Sequence, residues 1–298
     1  MCGIVGLLIK KPEWRERLGE FAVPMLIGMT DRGPDSAGLA VFTQPTTADR
    51  FKLSLYAGTA TIDWDQLLKE LTASWPGDHS LRVVANHAVL TTSADPEAMT
   101  QLLNSRWPHL NVLSVGHSID LYKETGAPAT VAERYGFRDL RGTHVVAHTR
   151  MATESAVTPA HAHPFTAGRD FCLVHNGSLS NPYMVRRMLE PLGIRFETDN
   201  DTEAACRFLE WRLREGDDLA TAIHRGFEAL DGFYTFLMGT DTELAIVRDA
   251  FACKPAIVAE TEEYVAIASE FRSLAHLPGV RTARLFEPQP KEIYTWHI

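Results

Sequence analysis

Residues 2–9, CGIVGLLI, form an unbroken apolar run that stops at Lys10-Lys11-Pro12. The run is far short of the ~20 residues a membrane helix needs, and it lacks the basic start of a signal peptide. Its β-branched residues and sharp boundary predict a buried core strand beginning at residue 2. The chain of 298 residues can bury one large core or two modest ones.

Charge narrows the partners. A net charge of -9 repels phosphates and acidic lipids, so neither nucleic acid nor a membrane surface is expected as a partner. The four cysteines, Cys2, Cys172, Cys206 and Cys253, form no CxxC pair and no zinc spacing. That fits a soluble protein of the reducing cytoplasm, with no metal or cofactor expected in this chain.

Helical spacing of Leu18, Phe21, Ala22, Met25, Leu26 and Met29 predicts a helix within 13–29, which breaks at Asp31-Arg32-Gly33-Pro34. Gly38 to Phe42 returns to strand character. From about 47 to 140 the pattern changes: Asp63 can cap a helix bearing Trp64, Leu67, Leu68 and Leu71, and strand-like runs follow at 81–91 and 110–122. This stretch carries no catalytic signature and is predicted to be an insertion within a single domain spanning 1–298. Strands are expected at Thr143–Thr149 and Phe171–Val174, the latter ending at His175-Asn176-Gly177. Helices follow near Thr202–Arg214 and Leu219–Leu230, then strands at 233–238, 244–248, 255–259 and 264–268. Helices flanked by runs of sequential strands point to layered sheets with helices outside.

Chemistry enters at Met1-Cys2-Gly3. Removal of Met1 is expected to expose Cys2 with a free α-amine, which titrates at about 7.7–8.0 and can take the thiol proton. Arg150, in His148-Thr149-Arg150-Met151-Ala152-Thr153, is a candidate carboxylate clamp, because planar guanidinium binds carboxylate through two bonds, and Arg32, in Asp31-Arg32-Gly33-Pro34-Asp35-Ser36, is expected to shape the substrate site or its lid. Each could instead be a surface ion pair. Asn176 followed by Gly177 offers a side-chain amide and an unhindered backbone N–H to a developing oxyanion; the plain reading is an Asn-Gly turn. Asp201, in Asp199-Asn200-Asp201-Thr202-Glu203, can receive a substrate ammonium or merely cap a helix. His161, His163 and His175 are expected to brace the surrounding loops.

Cys2-Gly3-Ile4-Val5-Gly6, Arg32-Gly33-Pro34-Asp35-Ser36, His148-Thr149-Arg150, His175-Asn176-Gly177 and Asp201-Thr202-Glu203 stand in the order found in class II glutamine amidotransferases. The chain resembles that N-terminal-nucleophile family over residues 2–44 and about 143–272. The resemblance implies an α+β fold, a four-layer αββα sandwich of two antiparallel sheets. It implies Cys2 as nucleophile, Asn176 and Gly177 as oxyanion hole, and Arg150 and Asp201 as ligands of the glutamine α-carboxylate and α-ammonium. Arg32 and Thr153 would complete the substrate site. Asp31 stands where the family usually has His, and Met151-Ala152-Thr153-Glu154 replaces the commoner Trp-Ala-Thr-His.

Leu121-Tyr122-Lys123-Glu124-Thr125-Gly126-Ala127-Pro128 and Ala132-Glu133-Arg134-Tyr135-Gly136 are similar to the stand-alone amidotransferase subunits of split glutamate synthase-like enzymes, that of N-methylglutamate synthase among them. With about 25 residues after the amidotransferase pattern, the resemblance implies that the ammonia acceptor lies in separate synthase subunits. FMN and an iron–sulfur cluster would then belong to that partner. The competing expectations are a catalytically silent scaffolding subunit of the same fold, or a related hydrolase acting on another amide.

Overall fold

The computed structural model describes residues 2–151 and 157–298. Its first strand, β1 (Gly3–Ile9), is buried at every position. Strands β2 (Ser36–Phe42), β3 (Phe51–Tyr56), β4 (His79–Val84), β5 (His87–Thr92) and β6 (Asn111–Gly116) follow. Then come β7 (Ile119–Thr125), β8 (His144–Arg150), β9 (Phe165–Thr166), β10 (Cys172–Leu179), β11 (Gly232–Gly239) and β12 (Glu243–Arg248). The chain closes with β13 (Ile257–Glu260), β14 (Tyr264–Ala268), β15 (Arg284–Phe286) and β16 (Ile293–His297). The helices are α1 (Leu18–Ile27), α2 (Trp64–Ser74), α3 (Pro96–Arg106), α4 (Pro128–Arg134), α5 (Pro182–Leu189), α6 (Asp201–Arg214) and α7 (Leu219–Ala229).

Seven strands form one sheet in the order β15-β13-β14-β1-β8-β2-β7, and five form another in the order β16-β12-β11-β10-β9. Their pairings are antiparallel. The two sheets meet through Ile4 and Leu8 of β1, Phe42, Val146, Val174, Leu237 and Ile246. On its other face the larger sheet packs Val5, Leu7 and Ile9 against Leu18, Met25 and Leu26 of α1. The smaller sheet packs Phe236 and Met238 against α5, α6 and α7 through Val185, Phe208 and Ile223. This is the predicted αββα sandwich. It also explains the continuous apolar run of β1: a strand covered on both faces has no solvent side on which to alternate.

The region 47–140 divides in two. Residues 51–116 build a third sheet, ordered β4-β5-β3-β6, with its own core of Leu53, Leu55, Leu90, Leu67, Leu71, Met99 and Leu103. Asp63 caps α2 by accepting from Gln66 N at 2.9 Å, as its position predicts. Strand β7, by contrast, pairs with β2 along its whole length and forms the edge of the seven-stranded sheet. Strand β16, which the sequence pattern leaves without structure, pairs with β12. Among the described residues no helix is long and apolar enough to cross a membrane.

Candidate active site

Cys2 precedes β1 at the point where the two sheets approach each other. Its carbonyl oxygen accepts from Arg32 Nε at 3.0 Å and from Asn176 Nδ2 at 3.2 Å. The strand behind it is fixed from the other side. Ile4 N donates to Ser269 Oγ at 3.0 Å, and Ser269 N donates to Ile4 O at 3.2 Å. Of the four thiols, Cys172 and Cys206 are buried and desolvation pushes both well up from their ordinary value, which makes them inert. Cys2 is partly exposed.

Arg32 is a positioning group in this arrangement. It is 8% exposed, and its second arm pairs with Glu270 Oε1 at 2.9 Å. Glu270 in turn meets Arg272 at 2.8 Å, and Arg272 meets Asp31 at 2.9 Å. The aspartate that departs from the family pattern therefore ends a chain of ion pairs leading back to Cys2. Gly33 brings this loop onto β8: a Cβ there would fall on the Thr149–Arg150 peptide, and Asp35 N donates to Arg150 O at 3.0 Å. Arg150, buried at the end of β8, lies opposite Ser36.

Asn176-Gly177 is not a turn. Strand β10 runs through it, pairing Asn176 with Thr235 and Gly177 with Tyr234. Tyr234 donates its N–H to Asp249 Oδ1, and its carbonyl accepts from Asp249 N, both at 3.0 Å. Its backbone is thus spent on the side away from β10, and Gly177 N–H points away from β11. Along that same edge His175 N donates to His163 Nδ1 at 3.3 Å and Leu179 N to Asp201 Oδ2 at 2.9 Å. Gly177 N–H lies between these two. At φ +144° its missing side chain would fall on Phe233 O, so only glycine fits.

Asp201 opens α6, which Asn200 caps by accepting from Thr202 N at 2.8 Å. Glu203 supports the preceding turn, taking Glu197 N at 2.8 Å and Thr198 N at 2.7 Å. Asp199 pairs with His161 at 2.8 Å. Behind the site lies a cluster that the sequence pattern resolves only in part. His148 stacks on His163 at 4.1 Å, His148 Nε2 and His175 O are 3.1 Å apart, and Thr202 Oγ1 lies 3.0 Å from His175 Nδ1 and 3.3 Å from His163 Nε2. Burial holds all three imidazoles below their ordinary value, His148 at about 3. They are neutral braces for β10 and α6.

The structure thus gathers Cys2, Arg32, Arg150, Asn176, Gly177 and Asp201 around one end of β1, β8 and β10. Thr153 lies outside the described residues. Ser269, Glu270 and Arg272 escape the sequence pattern as site supports, since nothing local links them to residue 2. Among the described residues no three His, Cys, Asp or Glu side chains converge as a metal site would require.

Residues 148–276 match the family described as Glutamine amidotransferase domain. Over 298 residues the chain is 45% identical to the Glutamine amidotransferase-like protein GlxB of Rhizobium meliloti (strain 1021), covering 99% of this chain and 98% of that one. A protein of Methanothermobacter thermautotrophicus (strain Delta H), provisionally named a glutamine amidotransferase, is 30% identical over 308 residues and is matched along its full length. In fold the chain is similar to the glutamine phosphoribosylpyrophosphate amidotransferase of B. subtilis, with a TM-score of 0.62 at 18% identity, covering 99% of this chain and 47% of that chain. The chain spans about half the length of that solved protein. With an αββα sandwich and full-length relatives at these identities, the chain belongs to the class II, N-terminal-nucleophile family of glutamine amidotransferases.

Proposed function

We propose that the protein hydrolyses the side-chain amide of L-glutamine through a Cys2 thioester and passes the ammonia to a separate synthase subunit. The observation that carries this reading is the 3.2 Å contact between Asn176 Nδ2 and the Cys2 carbonyl, which seats residue 2 beside the Asn176-Gly177 donors. With Met1 removed, the Cys2 α-amine takes the thiol proton and the thiolate attacks the amide carbonyl. The oxyanion is held by Asn176 Nδ2 and Gly177 N–H, a donor pair of which each member is worth about 3 kcal/mol of barrier. The protonated amine then gives its proton to departing ammonia, and water cleaves the γ-glutamyl thioester to glutamate. Arg150 binds the substrate α-carboxylate and Asp201 the α-ammonium, while Arg32 holds the Cys2 backbone in place.

The acceptor half is inferred from the resemblance to split glutamate synthase-like enzymes, of which N-methylglutamate synthase is one. On that reading FMN and an iron–sulfur cluster belong to the partner, and methylamine metabolism is one setting for the complex.

The test is covalent labelling. Intact mass should show a chain lacking Met1, and a glutamine-mimicking diazo-ketone should then add once, at Cys2. A chain with a confirmed Cys2 terminus that takes no label, alone or with its synthase partner, is not a glutaminase.

A further inference from the structure

A cavity of about 1380 Å³ lies between the inserted sheet and the main body, walled by the end of β3, most of β6, the end of β7, residues 157–160 and 165–168, and the first turns of α6. None of Cys2, Arg32, Arg150, Asn176, Gly177 or Asp201 lines it. That volume is above the ~300–1,000 Å³ usual for a small-molecule site, so a small ligand would fill only the part of it around Lys123.

One group on its wall stands out. Lys123, 6% exposed, donates one hydrogen bond, to Ala162 O at 3.1 Å, and its ammonium lies 4.9 Å over the ring of Phe165. An ammonium has three donors, and among the described residues no carboxylate lies within ion-pair distance of this one. Buried polar groups of this kind are few in native proteins and call for an explanation.

The other charges on the wall are already spent. Arg134 faces Glu124 at 3.6 Å, and Arg207 is shared between Glu203 at 3.1 Å and Glu197 at 3.4 Å. Glu124 also accepts from Tyr56, Asn86 and Tyr135. These carboxylates oppose a dianion such as phosphate. Phe165 supplies an apolar wall beside the lysine.

We propose that this cavity binds a small organic monocarboxylate, its anion received by Lys123 Nζ and its apolar body by Phe165. Burial brings the Lys123 amine down to about 8 despite the carboxylates of Glu197 and Glu203. With no carboxylate within ion-pair distance among the described residues, the charged form would gain a close counter-ion from a bound carboxylate.

The experiment reads binding, not glutamine hydrolysis, so it stands or falls independently of the proposed reaction. Ligand-observed NMR is run with butyrate, benzoate and phenylacetate, and with their primary amides. At least one acid should bind while its amide does not, and Lys123→Met should weaken that acid by about tenfold or more, as loss of a charged hydrogen bond does. On the unaltered chain, the same acid should slow acetylation of Lys123 by acetic anhydride, mapped by peptide mass, and inorganic phosphate at equal ionic strength should not. Absence of binding by all three acids overturns the proposal. So does equal binding of acid and amide, retained affinity in a folded Lys123→Met chain, or protection of Lys123 by phosphate to the same degree.

Discussion

At the scale of single residues, the site depends on backbone geometry as much as on side chains. Gly177 offers its N–H because β10 turns that edge away from β11, and no other residue fits where its missing Cβ would meet Phe233 O. Asn176, 2% exposed, sits on the same strand with its amide on the Cys2 carbonyl. If the pair forms an oxyanion hole, Asn176→Ala should lower kcat about 100- to 1000-fold with KM changed far less. Steady-state kinetics of glutamate release would check it. A change confined to KM would make Asn176 a ground-state contact instead.

Elements set where these residues meet. Strand β1 cannot drift, because it is paired on both sides, with β8 and β14. Helix α6 presents Asp201 in its first turn because Asn200 takes the capping position. The inserted sheet is tied to the sandwich by Asp170, a residue at φ +50° that aspartate tolerates better than most. Its carboxylate accepts from His117 N at 2.6 Å, Ser118 N at 2.8 Å, and Ser118 Oγ and Ile119 N at 2.9 Å, across the β6–β7 connection. Asp170→Ala leaves these donors buried without an acceptor and should cost about 3 kcal/mol or more. Urea unfolding would measure this, with Asp170→Asn recovering part of the loss. An unchanged midpoint would mean that the connection relaxes to water.

At the scale of the whole molecule, the fold buries histidines that stay neutral. Desolvation takes His87, His144 and His148 from 6.5 to about 3, and lowers His163 and His175 as well. As pH falls below 6.5 the unfolded chain binds protons that the native state refuses until about 3, so stability is full above that window and declines through it. Each such histidine contributes a slope of up to about 1.4 kcal/mol per pH unit. Burial raises Asp120 and Glu210, which offsets part of this. The urea midpoint should therefore be lower at pH 5 than at pH 7.5, and His144→Gln, at the end of β8 remote from Arg150, should flatten the dependence. Equal midpoints at the two pH values would contradict the assignment. Much of this molecule is legible before any coordinates: the β1 strand, the α2 cap at Asp63, helices α6 and α7, and the glycine and polar residues of the site are written in short-range pattern, because period, caps and turn chemistry are local. Layered sheets with helices outside follow from that pattern as well, while their four-layer αββα order follows only through resemblance. What the tertiary structure alone decides is non-local: the division of 47–140 into a separate sheet and an edge strand of the sandwich, the passage of β10 through Asn176-Gly177, and the Asp31–Arg272–Glu270–Arg32 chain that ends on Cys2. Partners separated by more than 200 residues leave no periodic trace, since only the folded chain brings their charges within reach.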